Sequence, residues 1–159
     1  MNTLVVYYTR TGNTKKMAEE IAAKLDAELD EIIDKTKRSG FVRWFYSGYQ
    51  AVREKLTEIE DMEKDPSNYG LIILGTPTWA GKMTPALRTY ITRYKDQLNK
   101  VAILITSSGK KGDPLIESIS EFCGKDPIAT AHIIQKEIEE DKYQEKIDQF
   151  VQEIKNKSQ

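Results

Sequence analysis

The chain has 159 residues, with 24 lysines and arginines against 25 aspartates and glutamates, and its formal charge at pH 7 is -1. This length predicts one domain, residues 1–159, and the balanced charge argues against a basic nucleic-acid-binding module. Apolar runs such as Leu4–Tyr8 and Val101–Ile105 are far shorter than the ~18 residues of a membrane-spanning helix, so we expect a cytoplasmic protein without membrane insertion. Cys123 is the only cysteine, which excludes an internal disulfide, and any redox role therefore needs a cofactor.

Strands and helices alternate along the chain. Three short segments that are apolar on both faces are typical of buried strands, and two segments of mixed polarity suit the edges of a sheet. In chain order we predict strands at Thr3–Tyr8, Glu28–Ile33, Leu71–Leu74, Val101–Ile105 and Ile128–Ile134. Amphipathic helices follow the first strand, with Met17, Ile21 and Leu25 on one face, and the last strand, with Ile147, Phe150, Val151 and Ile154 on one face. Right-handed crossovers then favour an α/β fold of three layers, a doubly wound, five-stranded parallel sheet in the order 2-1-3-4-5.

The segment from Lys35 to Glu63 fits this alternation least well, because it is long for a connection between two strands. Five aromatic residues crowd its first half, and a charged stretch from Ala51 to Met62 is predicted as a helix. We therefore expect this insert to hold a lid or an interface element as well as a helix, although its aromatic residues could also pack on the sheet.

Ligands of a doubly wound sheet bind beyond the carboxyl ends of the strands, beside the point where the strand order reverses. Here that point lies between the first and third strands. The first strand is followed by a loop with three hydroxyls, one glycine and the free N–H groups of a helix that begins near Asn13. These groups can hold a phosphate dianion, because the helix terminus carries partial positive charge and each donor makes a charge-assisted hydrogen bond. The loop is Thr9, Arg10, Thr11, Gly12, Asn13 and Thr14.

This loop resembles the FMN-phosphate loop of the flavodoxins, and the loop after the third strand strengthens the likeness. Gly75–Gly81 is similar to the flavin-contacting loop of that family, where an aromatic residue lies against the isoalloxazine and a glycine permits a peptide flip near flavin N5. The resemblance covers the whole chain and is to short-chain flavodoxin-like FMN proteins. It implies that the flavin ring meets the residues Pro77, Thr78, Trp79, Ala80, Gly81 and Lys82.

A third loop follows the fourth strand and completes the predicted site. Backbone groups of Ser107, Ser108 and Gly109, with Gly112 at the end of the loop, are placed to bind the pyrimidine edge of the ring. Two features depart from the flavodoxin pattern. No aromatic residue occurs between Thr106 and Pro114, so one flavin face is expected to be open, and the flavin-facing loops carry basic rather than acidic residues.

Three functions remain open on these residues. The leading hypothesis is a flavodoxin-like FMN protein that carries electrons between redox partners. The alternative is an enzyme, an FMN-dependent NAD(P)H:quinone-type oxidoreductase that uses the open flavin face. A third reading is a flavodoxin-fold protein that has lost flavin and serves only in interactions. The sequence names no electron donor, acceptor or oligomeric state.

Other candidate chemistry in the sequence is weaker. Cys123 is interpreted as an inert structural thiol, and His132 as a packed or edge residue rather than a ligand. The acids between Glu137 and Asp141 are predicted to begin the final helix.

Overall fold

A computed structural model describes residues 1–36 and 56–159. The strands of these residues are Thr3–Tyr7 (β1), Glu28–Glu31 (β2), Leu71–Trp79 (β3), Lys82–Met83 (β4), Lys100–Ser107 (β5) and Thr130–Ile134 (β6). The α-helices are Asn13–Leu25 (α1), Pro85–Tyr94 (α2), Asp113–Cys123 (α3), Gln135–Glu139 (α4) and Gln144–Lys157 (α5). Short 3₁₀ helices lie at Pro66–Asn68 and Lys95–Gln97.

The sheet has the predicted strand order. Five strands run parallel in the order β2-β1-β3-β5-β6, and the short β4 pairs antiparallel with the end of β3. The strands predicted third and fourth are longer than expected at their carboxyl ends, because pairing continues to Pro77 opposite Thr106. Pro77 is tolerated there because the pairing of β1 ends opposite Gly75, so β3 loses that neighbouring strand beyond this point.

Helices cover both faces of the sheet and make three layers. α2 and α3 bury one face, and the buried residues of that side include Leu4, Val6, Ile72, Leu74, Leu87, Ile91, Ile103, Ile105, Leu115 and Ile119. α1 and α5 bury the other, with Val5, Met17, Ile21, Ile73, Leu104, Ile133, Ile147, Phe150 and Ile154. The apolar stripes predicted for the first and last helices therefore face the sheet.

The insert differs from the prediction where the structure describes it. Residues 56–62 of the predicted helix are not helical, and Ile59 instead forms an antiparallel bridge with Asp34. Hydrogen bonds from outside the segment hold this extended backbone, since the Thr57 amide donates to Thr89 Oγ1 at 3.0 Å and Thr89 Oγ1 donates to the Thr57 carbonyl at 2.7 Å. The rest of the predicted helix and the aromatic half of the insert lie outside the described residues.

The end of the chain also corrects one prediction. The acids between Glu137 and Asp141 do not begin the final helix, because α4 ends at Glu139 and Asp141 has a φ of 56° that interrupts the helix. α5 then packs beside the edge strand β6. Lys146 Nζ donates to the carbonyl of His132 in β6 at 3.2 Å, and Lys157 Nζ donates to the carbonyl of Ile128 just before β6 at 2.8 Å.

Within residues 1–36 and 56–159, every helix is too short or too polar to cross a bilayer.

Candidate functional site

A cavity of about 350 Å³ lies beyond the carboxyl ends of β1, β3 and β5, at the edge where the three predicted loops meet. This volume falls within the range of small-molecule sites. The lining is mixed, with many hydroxyls and one large aromatic ring. Its residues are Arg10, Thr11, Asn13, Thr14, Pro77, Thr78, Trp79, Thr106, Ser107, Ser108 and Gln135.

The first loop turns sharply into α1. Gly12 caps the helix with a φ of 96°, a left-handed conformation that glycine adopts at no steric cost. Thr9 Oγ1 accepts from the amide of Gly12 at 3.1 Å, which holds the turn closed. α1 begins at Asn13 as expected, and its first turn carries no acidic residue that would compete for an anion. Thr11 and Asn13 therefore face the cavity at the positive end of a helix.

Thr14 joins this loop to the centre of the sheet. Its Oγ1 lies 2.8 Å from Oγ1 of Thr106 at the end of β5, and both residues are buried. Either hydroxyl can be the donor in that pair. If Thr106 donates, the proton of Thr14 is left for a group in the cavity, so the pair fixes where Thr14 points without using its donor.

The second loop is a tight hairpin that presents Trp79. Trp79 pairs with Lys82 across the turn, and the two residues between them, Ala80 and Gly81, have φ values of 50° and 72°. Positive φ at both central positions is the geometry of a two-residue turn that matches the twist of its strands. The glycine at the second position meets this need without strain.

Trp79 is held by two neighbours at the cavity wall. Its ring meets the ring of Tyr8 edge-on, with centroids 5.5 Å apart at 81°. The guanidinium carbon of Arg10 lies 5.4 Å from the centroid of the indole. The indole is half-buried, so part of this large apolar surface lines the cavity where a planar ligand could stack on it.

The third loop is tied to its neighbouring strand. Ser107 Oγ lies 2.6 Å from Nε2 of His132 and 2.6 Å from the carbonyl oxygen of Gly109. Burial, followed by the charge of Lys146, lowers the pKa of His132 below its ordinary value. His132 is thus a half-buried residue of β6, as the sequence indicated, and it also supports the loop beside the cavity.

The structure brings nine of the predicted site residues to the cavity and leaves the others around it. Those at the cavity are Arg10, Thr11, Asn13, Thr14, Pro77, Thr78, Trp79, Ser107 and Ser108. Those that do not line it are Thr9, Gly12, Ala80, Gly81, Lys82, Gly109 and Gly112. Thr9, Gly12, Ala80 and Gly81 shape the turns that present the lining residues.

Two lining residues were not among the predicted ones. Gln135 comes directly after β6, whose carboxyl end meets the same edge of the sheet as the cavity, so the rule that located the first loops applied to it as well. Thr106 directly precedes the predicted binding residues of the third loop. Its contact with Thr14 depends on how α1 sits on β5, for which the sequence carries no signal.

Positive charge surrounds the cavity. Arg10 is half-buried, and Lys82, Lys110 and Lys111 are exposed on the second and third loops. The segments 9–14, 76–82 and 106–112 contain no aspartate or glutamate. The three loops therefore favour an anionic ligand or partner over a cationic one.

Comparison with known proteins gives matches among solved structures. A flavoprotein from Lactobacillus acidophilus NCFM, crystallised in complex with FMN, is 27% identical, with 90% of this chain and 98% of that chain covered and a TM-score of 0.70. The chain has a flavodoxin-like fold. A flavodoxin from Streptococcus pneumoniae TIGR4 shares its fold at 14% identity, covering 99% of each chain with a TM-score of 0.62. So does a short-chain flavodoxin associated with a non-canonical PDU bacterial microcompartment, at 15% identity over 100% of both chains with a TM-score of 0.59.

No protein-family model matches this flavodoxin-like chain, and no curated protein matches it. The neighbours that share its fold at these low identities establish the predicted architecture.

Proposed function

We propose that this flavodoxin-like protein binds FMN in the cavity and carries electrons between redox partners. The observation that supports this most is the pairing of a hydroxyl-rich helix terminus with an indole ring in one cavity. A phosphate fits the first and a planar isoalloxazine fits the second. FMN, when bound, supplies the redox chemistry, and the chain supplies binding, orientation and electrostatics. The FMN complex of the Lactobacillus acidophilus neighbour supports the same cofactor.

Each part of the cavity has a separate task in this proposal. Thr11, Asn13 and Thr14 hold the phosphate at the start of α1, where the free N–H groups add to the hydroxyl donors. Trp79 excludes water from one face of the ring. Backbone groups of the loop from Ser107 to Gly109 bind the pyrimidine edge. The surrounding lysines stabilise the negative charge that the flavin gains on reduction.

A fluorescence titration with FMN, riboflavin and FAD tests the cofactor. We expect one FMN per chain and much weaker binding of riboflavin, because each charge-assisted bond to the phosphate contributes about 1.5–3 kcal/mol. Thr11→Val should weaken FMN and leave riboflavin unchanged. Thr92→Val is the matched control, since the exposed Thr92 donates from Oγ1 to the Arg88 carbonyl of its own helix at 2.8 Å, away from the cavity. Equal affinities for FMN and riboflavin would contradict the phosphate site.

A second function, an FMN-dependent NAD(P)H:quinone-type oxidoreductase, is favoured by a specific feature. The third loop has no aromatic residue to cover the flavin, and the basic residues around the cavity suit the phosphates of a nicotinamide nucleotide. Stopped-flow mixing of the FMN-loaded protein with NADH and NADPH separates the two. Rapid bleaching of the flavin band supports the enzyme, and a flavin that stays oxidised supports the carrier.

The flavin-free interaction protein is tested by the same titration, since it predicts no FMN binding. The complete hydroxyl loop supports FMN binding over that reading. A cytoplasmic location and redox partners without nucleic acid remain part of the proposal on the sequence argument alone.

A further inference from the structure

His132 makes a directed contact with the loop beside the cavity. Ser107 Oγ is 2.6 Å from Nε2 of His132 and 2.6 Å from the carbonyl oxygen of Gly109. A serine hydroxyl has one proton, and a carbonyl oxygen only accepts. The hydroxyl therefore donates to Gly109, and Nε2 of His132 donates to the hydroxyl. This chain of two hydrogen bonds runs from β6 into the loop and assigns the neutral tautomer with its proton on Nε2.

The other end of the same loop also touches the imidazole. A Cβ at Gly112 would lie 2.5 Å from Nδ1 and 2.7 Å from Cγ of His132, and 2.7 Å from Cδ1 of Ile105. Gly112 has a φ of -120°, which any residue adopts, so the glycine is needed here for close approach and not for its backbone freedom. His132 thus meets the loop at its first residue through a hydrogen bond and at its last through van der Waals contact.

We propose that His132 is a positioning residue for flavin binding, which acts through Ser107 to hold the loop Ser107–Gly112 in the shape that receives the ring of FMN. The inference rests on the proposed function, because it concerns the loop assigned to the pyrimidine edge. His132 itself does not line the cavity, whereas Ser107 and Ser108 do. His132 is tied to this loop by its hydrogen bond with Ser107 and by a hydrogen bond to the backbone of Gly109.

The charges that face His132 come from three helices. Burial disfavours the imidazolium most, followed by Lys146 of α5, while Glu137 of α4, Asp113 of α3 and a hydrogen bond to the Gly109 backbone favour it. The pKa of His132 is consequently lower in the folded chain than its ordinary value. Because Nε2 already carries a proton, a second proton must enter at Nδ1, which faces Gly112 at contact distance.

The sign of the resulting pH dependence follows from these facts. The lowered pKa means that the folded chain is fully stabilised at His132 while the imidazole is neutral, above the ordinary pKa of about 6.5. This stabilisation is lost as the pH falls from that value through the lowered pKa of the folded protein, while the imidazolium keeps its Nε2–H as a donor to Ser107. Glu137 has a lowered pKa, since the hydrogen bonds from Lys146 and from the Ile134 amide outweigh burial, so it stays charged across this window.

The first experiment measures FMN affinity at pH 7.5 for variants of the pair. We expect Ser107→Ala and His132→Leu each to weaken FMN by about three- to tenfold, the loss of one neutral hydrogen bond. The double variant should lose no more than either single one, because both remove the same contact. His132→Gln should restore affinity to within about twofold, since the glutamine amide places an N–H near Nε2. Ser120→Ala is the matched control, for its hydroxyl bonds the Lys125 carbonyl at 2.8 Å at the end of α3, away from the cavity.

The second experiment uses the protein without FMN and follows the backbone amide resonances of Ser108 and Gly109 by NMR between about pH 5 and 8. We expect them to shift with a midpoint below 6.5 in the wild type, together with the imidazole resonances of His132, and to be flat in His132→Gln. A histidine without contact to the loop would not give this titration, and the FMN affinities of the first experiment decide whether the contact positions the flavin.

The outcomes separate this inference from the proposed function. If FMN binds the wild type, and the Ser107→Ala and His132→Leu variants keep its affinity while the loop resonances stay flat, the positioning role is wrong and the function stands. If the loop resonances titrate with His132 but FMN does not bind, the proposed function is wrong, and with it the link from His132 to the flavin.

Discussion

The buried pair of Thr14 and Thr106 allows a test that separates binding of the phosphate from support of the fold. Their hydroxyl oxygens are 2.8 Å apart, and the two residues are 1% and 3% exposed. Valine at either position keeps the shape of the side chain and leaves the other hydroxyl unpaired, which costs about 1–3 kcal/mol in the free energy of unfolding. Valine at both positions removes the pair altogether and should be nearly neutral. Urea denaturation without FMN measures these differences.

The affinities of the same variants for FMN should not follow their stabilities. If Thr106 donates to Thr14 and Thr14 donates to the phosphate, Thr14→Val loses a charge-assisted bond of about 1.5–3 kcal/mol, or about 10- to 150-fold in affinity. Thr106→Val loses no bond to the phosphate and should weaken FMN less. Fluorescence titration at neutral pH gives both values. Equal losses of affinity in the two single variants, recovered in the double variant, would show that Thr14 only supports the fold and would refute its place in the phosphate site.

Three other results are expected from the structure. Trp79→Ala should restore the emission of bound FMN and weaken binding by about 1–3 kcal/mol. Phe122→Ala is the control and should leave emission quenched, because Phe122, like Trp79, has an arginine guanidinium over its ring but lies on α3. Lys82→Glu should lower the potential of the more reducing flavin couple by up to about 40–140 mV at low ionic strength, which is twice the effect of one charge about 10 Å away. An unchanged redox titration would place this lysine far from the ring. Burial raises the pKa of the Cys123 thiol to about 11, so a thiol reagent at pH 8 should react with it far more slowly in the native protein than in urea, and equal rates would contradict its burial.

Much of the architecture could be predicted because the strands of a doubly wound sheet are apolar on both faces. Leu71–Leu74 and Val101–Ile105 have no polar side that would suggest another arrangement. The continuation of β3 to Trp79 could not be read in the same way, since its last residues are polar or aromatic and are held by pairing with β4 and β5. The helix expected at 51–62 was wrong over its described part, because the bridge between Ile59 and Asp34 and the hydrogen bonds of Thr57 with the Thr89 hydroxyl outweigh a helical charge pattern.

The parts of the candidate site that could be predicted are those in which a single loop supplies the binding groups, as in the threonines before α1 and the tryptophan before Gly81. The prediction of the site was incomplete where residues from distant elements meet. The bond between Thr14 and Thr106 joins positions 92 residues apart, and that between Ser107 and His132 joins positions 25 apart. Such contacts depend on the register of β5 against β6 and on how α1 packs on the sheet. A single sequence contains no pattern that specifies either.

The two lysines of α5 beside β6 bear on how copies of this chain meet in solution. A strand at the end of a sheet offers free carbonyl groups to any extended segment that approaches, which is a common start of aggregation. Here Lys146 and Lys157 already donate to carbonyls at that edge, so an incoming segment would have to displace charged, hydrated groups before it could pair. Acetylation of the two lysines would remove their charge and leave each Nζ a single N–H, so both carbonyls would be held more weakly. The solubility of the folded protein is therefore expected to depend on two side chains that take no part in binding the cofactor.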